Sequence, residues 1–460
     1  MQLPESLLRS LQNVPGFNKE AFEKVHTSGE QITSIRLNPA KADEQHLSFS
    51  LLSKVPWSEK GFYLEQRPSF TLDPLFHGGA YYVQEASSMF LEEALKQSVD
   101  LAQPIKILDL CAAPGGKSTL IQSLISERSL LVSNEVIKTR VTILSENITK
   151  WGAANVVVTN NDPKDFRRLE AYFDVIVVDA PCSGSGLFRK DPDAINEWSE
   201  QNVQLCHQRQ QRILADVLPA LKEGGTIIYS TCSYSKDEDE EICDWLVNDC
   251  HLTSVKYFLE PDWNIIETVS EQHKAYGYRF YPDKVKGEGF FIAAFKKGQM
   301  LNAGLFNERK NNKQRGKLEK ASVKEIDVLR QWLKNANDFS FIKLKDEVLA
   351  LPAYFENELV ELQTALYIKK AGIKLGTIIR DELIPDHELA ISKIIIESIA
   401  TVAVDKETAL QYLRREEIRL DAPVKGWNLL TYNQLPLGWV KLLPNRVNNY
   451  YPKEWRILHK

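Results

Sequence analysis

The stretch IKILDLCAAPGGKSTLIQSLI, at residues 105–125, decides the fold of this 460-residue chain. Its first six residues have the apolar pattern of a buried β-strand, the glycine-rich middle predicts a tight loop, and the end predicts a helix. The alternation of strands and helices predicts an α/β fold with a doubly wound parallel sheet, and two late strands suit a hairpin at the sheet edge. The further strands are predicted at 129–136, 155–161, 173–181, 224–232 and 290–296.

Composition limits the class of protein. With 43% hydrophobic and 26% charged residues, the chain has the composition of a soluble globular protein of roughly two to four domains. The six cysteines show no CxxC pair and no regular spacing, so we expect neither a disulfide scaffold nor a metal site. Free thiols predict a reducing, cytoplasmic setting. The first residues lack the pattern of a signal peptide, and we expect no membrane-spanning segment.

The charge of the chain is unevenly distributed. The net charge of −5 argues against a nucleic-acid partner when the chain is taken as a whole. Residues 296–324, however, carry nine Lys or Arg against two Glu, and the residues from Leu437 onward carry five Lys or Arg against Glu454. Because local clusters can bind phosphates whatever the average charge, late parts of the chain are candidates for contact with a nucleic acid.

Two cysteines follow predicted strands that end in loops. Cys182 stands in YFDVIVVDAPCSGSG, and Cys232 stands in LKEGGTIIYSTCSYSKDEDEE. Since open α/β sheets bind ligands at the carboxyl ends of their strands, neighbouring strands would bring both thiols to one cleft. A thiolate is a good nucleophile and a good leaving group, and Asp179 adds a carboxylate to the first loop. We expect Cys111, in the glycine loop, to line a cofactor pocket.

The glycine loop at 111–117 predicts a site for a nucleoside-type cofactor, because backbone amides at such a loop can approach a ligand closely. Glu135 ends the second strand, where doubly wound folds place a carboxylate on ribose hydroxyls. Asp162, just past the third strand, is a candidate for an adenine edge. An NAD(P) site is the competing interpretation, but the GxGxxG fingerprint is missing.

Three motifs carry a resemblance to a known family: LDLCAAPGGKSTL, VDAPCSGSGLFRKDPDAINEW and YSTCSYSKDEDE. With RLNPAK, YYVQEASSM and RFYPDKVKGEGFF, they resemble the signature motifs of the RNA 5-methylcytosine methyltransferases, the NOL/NOP/Sun group, over roughly residues 30–298. The stretch LGWVKLLPNRVNNYYPKEWR resembles the PUA-like domain found in a subgroup of this family, the bacterial ribosomal RNA methyltransferases. The resemblance implies a Rossmann-like class I methyltransferase core that uses S-adenosylmethionine.

The resemblance also implies roles for individual residues. Cys232 would add to carbon 6 of cytosine, Cys182 would assist loss of the carbon-5 proton and release of Cys232, and Asp179 would hold the base. Glu135 would bind the ribose and Asp162 the adenine of the cofactor. Arg36 and Lys190 are candidates for substrate binding. The methionine part would lie against Cys111, Ala112, Ala113, Pro114, Gly115, Gly116 and Lys117, with Asp179 also beside the cofactor.

The predicted organisation has five parts, of which the methyltransferase core is the largest. The parts are an N-terminal α+β RNA-binding module (1–75), the core (76–298), a basic linker (299–325), an intermediate region (326–390) and a β-rich PUA-like RNA-binding domain (391–460). The implied partner is RNA, with 16S ribosomal RNA or the small ribosomal subunit favoured. We expect a cytoplasmic monomer without a metal ion.

Three alternative functions stay open at this point. Transfer RNA could be the substrate instead of ribosomal RNA. In a DNA cytosine-5 methyltransferase the Pro-Cys cysteine attacks, so Cys182 would be the nucleophile and Cys232 idle; the Thr-Cys motif argues against this. A non-catalytic RNA-binding ribosome assembly factor could also keep the fold, although the glycine loop and both cysteines are retained.

Overall fold

The computed structural model describes residues 2–298, 318–420 and 424–458. Most of the predicted basic linker, residues 299–317, lies outside the described residues. Among those described, no helix is both long enough and apolar enough to cross a membrane.

The N-terminal region forms a small α+β unit, as predicted. Its four strands make an antiparallel sheet in the order β2-β3-β1-β4. Because β4 belongs to this sheet, the sheet extends past the predicted limit at residue 75. The elements are α1 (Glu5–Leu11), α2 (Lys19–Thr27), β1 (Ser34–Leu37), β2 (Leu51–Lys54), β3 (Gly61–Leu64), α3 (Pro74–His77) and β4 (Tyr81–Val83).

The core is an alternating α/β unit that begins with α4 (Leu91–Ser98) and β5 (Lys106–Asp109). Its first half continues with α5 (Gly116–Leu124), β6 (Leu130–Asn134), α6 (Lys138–Trp151), β7 (Val156–Thr159) and β8 (Phe173–Asp179). Its second half comprises α7 (Ala194–Glu197), α8 (Glu200–Val217), β9 (Leu221–Thr231), α9 (Glu240–Asn248), β10 (Leu252–Val255), β11 (Ile266–Val269), β12 (Tyr276–Phe280) and β13 (Phe290–Lys297).

The C-terminal region contains two further four-stranded sheets, in the orders β14-β15-β17-β18 and β19-β20-β21-β22. The first part comprises α10 (Val323–Arg330), β14 (Phe339–Leu344), β15 (Glu347–Pro352), α11 (Glu356–Ala365), β16 (Ile368–Ala371), β17 (Ile373–Ile379), β18 (Glu382–Pro385) and α12 (His387–Ala390). The second comprises β19 (Thr401–Ala403), α13 (Lys406–Arg414), β20 (Gly426–Tyr432), β21 (Leu435–Leu442) and β22 (Val447–Asn449).

The main sheet confirms the predicted doubly wound topology. Its order is β11-β12-β13-β9-β8-β5-β6-β7-β16, and the five strands from β9 to β7 run parallel. Strands β12 and β13 form the expected antiparallel hairpin towards one edge. Along β5, Leu108 and Ile107 belong to two different apolar clusters, as expected of a sheet covered on both faces. Strand β16 was not predicted; it pairs antiparallel with β7 and joins the C-terminal region to the core.

The segment after β1 fastens the N-terminal region to the core. The amide of Asn38 donates to the main-chain oxygens of Gly79 (3.0 Å) and Trp151 (3.1 Å). The ammonium of the half-buried Lys41 donates to the main-chain oxygen of Lys150 (2.6 Å). Carbonyl oxygens at the end of a helix lack partners within it, so these side chains satisfy the end of α6. The N-terminal region is thereby fastened to the C-terminal end of α6.

Candidate active site

Two thiols meet where β8 and β9 end. The two strands are parallel neighbours, with Asp179 paired to Ser230 at their carboxyl ends. Cys182 lies in the loop after β8, and Cys232 follows β9 directly. Their sulfur atoms are 3.0 Å apart, and both thiols are half-buried and free. The predicted meeting of the two cysteines at the ends of neighbouring strands is confirmed.

The surroundings of the Cys182 thiol favour its protonated form. The hydrogen bond to the Cys232 sulfur raises the pKa of Cys182, and burial and the charge of a Cys232 thiolate raise it further. Cys182 is therefore held in its protonated form as long as the Cys232 sulfur beside it can carry a negative charge. The arrangement gives a neutral thiol in contact with a potential nucleophile.

Asp179 connects the cysteine loops to the glycine loop. One of its carboxylate oxygens lies 2.8 Å from Nζ of Lys117, and the other accepts a 2.8 Å hydrogen bond from the hydroxyl of Ser230. Burial acts to lower the pKa of Lys117, but the Asp179 carboxylate outweighs it and raises that pKa. The ammonium also lies 5.2 Å from the ring centroid of Phe290. The ion pair of Lys117 with the partly exposed carboxylate of Asp179 thus lies between the cysteine loops and the glycine loop.

Side chains of α6 fix the glycine loop in place. Arg140 donates to the main-chain oxygen of Ala113 at 2.7 Å, and Asn147 donates to that of Pro114 at 2.8 Å. Gly115 has a φ of 119°, which only glycine adopts readily, and α5 begins at the next residue. Burial raises the pKa of the Cys111 thiol, so Cys111 stays protonated.

One oxygen of a buried carboxylate beside the glycine loop has no hydrogen-bond partner among the described residues. Asp109, the last residue of β5, accepts a hydrogen bond from the hydroxyl of Ser118 at 2.6 Å through Oδ2. Its Oδ1 is buried and has no hydrogen-bond partner among the described residues. Burial raises the pKa of Asp109 to about 7. Since an orphaned buried oxygen is costly, this atom suits a donor group of a bound ligand.

The two acidic residues predicted for the cofactor stand at the ends of neighbouring strands. Glu135 follows β6, is buried, and accepts a 2.8 Å hydrogen bond from the amide of Ile137. Asp162 follows β7 and accepts a 3.2 Å hydrogen bond from the amide of Lys164, capping a short helical turn. Glu135, Asp162 and the glycine loop all lie at the carboxyl edge of the sheet. Their roles towards the cofactor stay predictions.

Arg36, predicted to contact substrate, is instead buried in the protein. Only 1% of the residue is exposed, and its guanidinium lies 4.6 Å from the Trp151 ring centroid. Burial lowers its pKa to about 9. Because its five N–H donors all have internal acceptors, the side chain joins β1 to α5 and offers no free donor to an RNA phosphate. The acceptors are Gln84 Oε1, the Gly116 and Thr119 main-chain oxygens, and the Thr119 and Ser123 hydroxyls.

This placement makes a prediction about stability. Replacing Arg36 with alanine should lower the free energy of unfolding by about 3 kcal/mol, because several buried acceptors lose their partner. Urea unfolding followed by circular dichroism would measure the change. A variant with unchanged unfolding but weaker RNA binding would restore the predicted substrate role of Arg36.

Lys190, the other predicted substrate residue, is exposed. It follows the Cys182 loop and lines a small cavity of about 50 Å³ together with Arg67 and Glu288. Its position beside the active-site loops suits contact with RNA, and that role stays a prediction. Among the described residues, no group of three or more His, Cys, Asp or Glu could hold a metal ion.

The sequence interpretation missed Glu238, which is completely buried beneath the two cysteine loops. It stands in the run KDEDEE, where a charged cluster normally indicates a solvated surface. Its position soon after Cys232, within the motif YSTCSYSKDEDE, is the signal that could have indicated a role at the site.

The fold and the site place the protein in the class of methyltransferases with an α/β core, and its motifs resemble those of enzymes that modify RNA. Three family models match in chain order. Residues 3–86 match the N-terminal domain of 16S rRNA methyltransferase RsmF, residues 97–296 match 16S rRNA methyltransferase RsmB/F, and residues 400–457 match the methyltransferase RsmF PUA domain.

Curated relatives cover nearly the whole chain. The ribosomal RNA small subunit methyltransferase F of Shewanella loihica is 30% identical over 92% of this chain and 88% of its own. The protein of the same name from Vibrio vulnificus is 30% identical over 88% of this chain and 85% of its own. This chain belongs to the 16S rRNA methyltransferase RsmB/F family, a family of S-adenosylmethionine-dependent methyltransferases, which confirms the resemblance seen in the motifs.

Solved structures share the fold over about two thirds of the chain. A methyltransferase homologue from Pyrococcus horikoshii is 26% identical, with a TM-score of 0.51, and covers 64% of this chain and 100% of its own. NSun6 from the same organism, solved with SFG, is 19% identical, with a TM-score of 0.54, and covers 65% of this chain and 99% of its own. The predicted Rossmann-like core and C-terminal PUA-like domain are confirmed.

Proposed function

We propose that this protein methylates carbon 5 of cytosine in small-subunit (16S) ribosomal RNA, through a covalent adduct of Cys232 that Cys182 helps to release. The observation that carries the proposal is the pair of sulfur atoms 3.0 Å apart, next to the Lys117–Asp179 ion pair. Two thiols and a carboxylate beside a nucleoside-cofactor loop match the needs of this reaction. The names and coverage of the relatives support ribosomal RNA over transfer RNA.

The residues present fit S-adenosylmethionine, which when bound supplies an electrophilic methyl group. Loop residues 111–117 would hold its methionine part, and the spare oxygen of Asp109 suits an ammonium group there. Glu135 would accept hydrogen bonds from the ribose hydroxyls, and Asp162 would accept one from the adenine amino group. All of these residues stand at the carboxyl edge of the parallel sheet, which is where open α/β sheets bind their ligands.

The first chemical step belongs to Cys232. Carbon 5 of cytosine is a poor nucleophile until the 5,6 double bond is saturated. The Cys232 thiolate forms a bond to carbon 6, and the electron pair of the double bond makes carbon 5 nucleophilic. Asp179 would hold the N3/N4 edge of the base and stabilise this charged intermediate, with Lys117 fixing the orientation of the carboxylate.

Cys182 then completes the reaction. Its pKa is raised chiefly by the hydrogen bond to Cys232, and a Cys232 thiolate raises it further. The charge on the Cys232 sulfur is gone once that sulfur is a thioether in the adduct, so of these causes burial is the main one that remains, and the proton of Cys182 passes to solvent more readily at that stage. The Cys182 thiolate takes the carbon-5 proton, the 5,6 double bond re-forms, and the Cys232–carbon 6 bond breaks. Cys232 thus acts first, as the nucleophile, and Cys182 acts second, as the base.

The substrate would reach this site as an unstacked cytosine, as in other base-modifying enzymes. We assign RNA binding to the N-terminal and PUA-like regions, with Lys190 near the target strand, and we expect a cytoplasmic monomer. The match of residues 400–457 to the RsmF PUA domain supports the C-terminal assignment.

The test of the substrate incubates the purified protein and S-adenosylmethionine with naked 16S RNA, 30S subunits or transfer RNA. Mass spectrometry should find 5-methylcytosine in 16S RNA; methylation of transfer RNA alone would refute the substrate assignment.

The ribose contact gives a separate prediction. Glu135→Gln should weaken S-adenosylmethionine binding by about tenfold to a hundredfold, because the side chain loses its negative charge and one of its two acceptor oxygens. Isothermal titration calorimetry would measure the dissociation constant. The matched control is Glu397→Gln, at a largely exposed glutamate that pairs with Lys334 in the C-terminal region. An unchanged dissociation constant in Glu135→Gln would remove Glu135 from the cofactor site.

A further inference from the structure

A single buried carboxylate holds both cysteine loops. Glu238 accepts hydrogen bonds through Oε2 from the hydroxyls of Ser183 (2.5 Å) and Ser233 (2.6 Å). Through Oε1 it accepts from the amide of Ser183 (2.8 Å) and from the side chain of Gln210 on α8 (3.1 Å). Four donors therefore converge on one side chain that is completely buried.

The residues that Glu238 binds are the direct neighbours of the two thiols. Ser183 follows Cys182 and Ser233 follows Cys232 along the chain, and the two serine hydroxyls are 3.3 Å apart. Holding both serines on one carboxylate fixes the backbones from which both sulfur atoms project.

Gln210 adds a third connection to the same network. Its amide also donates to the main-chain oxygen of Pro181, at 3.1 Å, so α8 is tied to the residue before Cys182. The main-chain oxygen of Glu238 accepts a 2.6 Å hydrogen bond from the hydroxyl of Tyr229 on β9. Glu238 is thus anchored to α8 through its carboxylate and to β9 through its main chain.

We propose that Glu238 is a positioning residue that sets the distance between the Cys182 and Cys232 sulfur atoms. Its catalytic consequence rests on the proposed function, in which Cys182 acts on a base already bonded to Cys232. Because proton transfer needs heavy atoms within hydrogen-bond reach, a shift of either loop by about 1 Å would slow release. Glu238 itself touches neither the base nor the cofactor in this scheme.

The test uses the full-length protein and the variants Glu238→Ala and Glu238→Gln. The first readout is disulfide formation with diamide: two S–H bonds break, one S–S bond forms, and diamide takes up both hydrogens. Wild-type protein should cross-link Cys182 to Cys232 readily, and Glu238→Ala should do so much more slowly. Mass spectrometry of proteolytic fragments would follow the cross-link, which reports the distance between the sulfur atoms independently of activity.

The second readout separates turnover from binding. In Glu238→Ala, kcat for RNA methylation should fall by about 10²-fold with KM unchanged, because RNA binding is untouched while the thiols are misplaced. Glu238→Gln keeps the volume and one acceptor oxygen, so it should restore part of both rates. The matched control is Glu92→Gln, at a buried glutamate that also accepts from a serine hydroxyl (Ser58, 2.7 Å) but far along the chain from the thiols.

Each outcome decides a separate question. Wild-type rates of cross-linking and turnover in Glu238→Ala would overturn the positioning role. If thermal unfolding shows that Glu238→Ala does not fold, the Ser183→Ala/Ser233→Ala double variant replaces it, with the same expected slowing of both rates. If cross-linking slows as expected but the wild-type protein methylates no RNA, the positioning role stands and the proposed function fails.

Discussion

Replacing Cys232 with alanine is expected to abolish methylation, lowering kcat by at least about 10⁴-fold, as removal of a covalent nucleophile does in other enzymes. The physical reason is that no other group supplies the bond to carbon 6 that activates carbon 5. Transfer of labelled methyl groups from S-adenosylmethionine to 16S RNA would measure the loss. Binding of S-adenosylmethionine should be unchanged, because the glycine loop and Glu135 are untouched.

A matched variant shows whether the loss is specific. Cys250→Ala removes a half-buried free thiol that follows α9 and takes no part in the site, so it should keep normal activity. If Cys232→Ala still methylates while loss of Cys182 stops the reaction, the roles are reversed and the Pro-Cys cysteine is the nucleophile, as in DNA cytosine-5 methyltransferases.

The sheet and the thiol pair were predictable because each depends on local patterns. A β-branched run followed by small residues indicates a buried strand that ends in a loop, and the order of such units along the chain implies a parallel sheet. Cys182 and Cys232 each stand just after such a run. Their meeting therefore follows from topology, without knowledge of any side-chain contact.

Other features depend on contacts that local patterns do not encode. Strand β16, with the sequence IKKA, is too short and too polar to reveal that it pairs with β7, far away in the chain. Charge alone would place both Arg36 and Glu238 at the surface. Both are buried because networks of donors or acceptors from distant elements compensate the charge.

Replacing Cys182 with alanine has a different expected result: the protein should become covalently bound to RNA. Cys232 can still attack carbon 6, but the group that removes the carbon-5 proton is missing, so the adduct is not released. Expression of Cys182→Ala in bacterial cells, followed by denaturing electrophoresis, should show a slowly migrating band that ribonuclease removes. Sequencing the attached RNA would identify the substrate and the target cytosine.

The double variant decides between the two cysteines. Cys182→Ala/Cys232→Ala should give no adduct, because the sulfur atom that bonds to carbon 6 is gone, while Cys182→Ala/Cys250→Ala should keep the adduct. An adduct that persists in the first double variant would show that another residue attacks. If Cys182→Ala forms no adduct and the parent protein transfers no methyl group, the non-catalytic assembly factor becomes the better interpretation. An adduct with 16S RNA in Cys182→Ala alone would instead show that the 3.0 Å separation of the sulfur atoms serves an ordered attack and release.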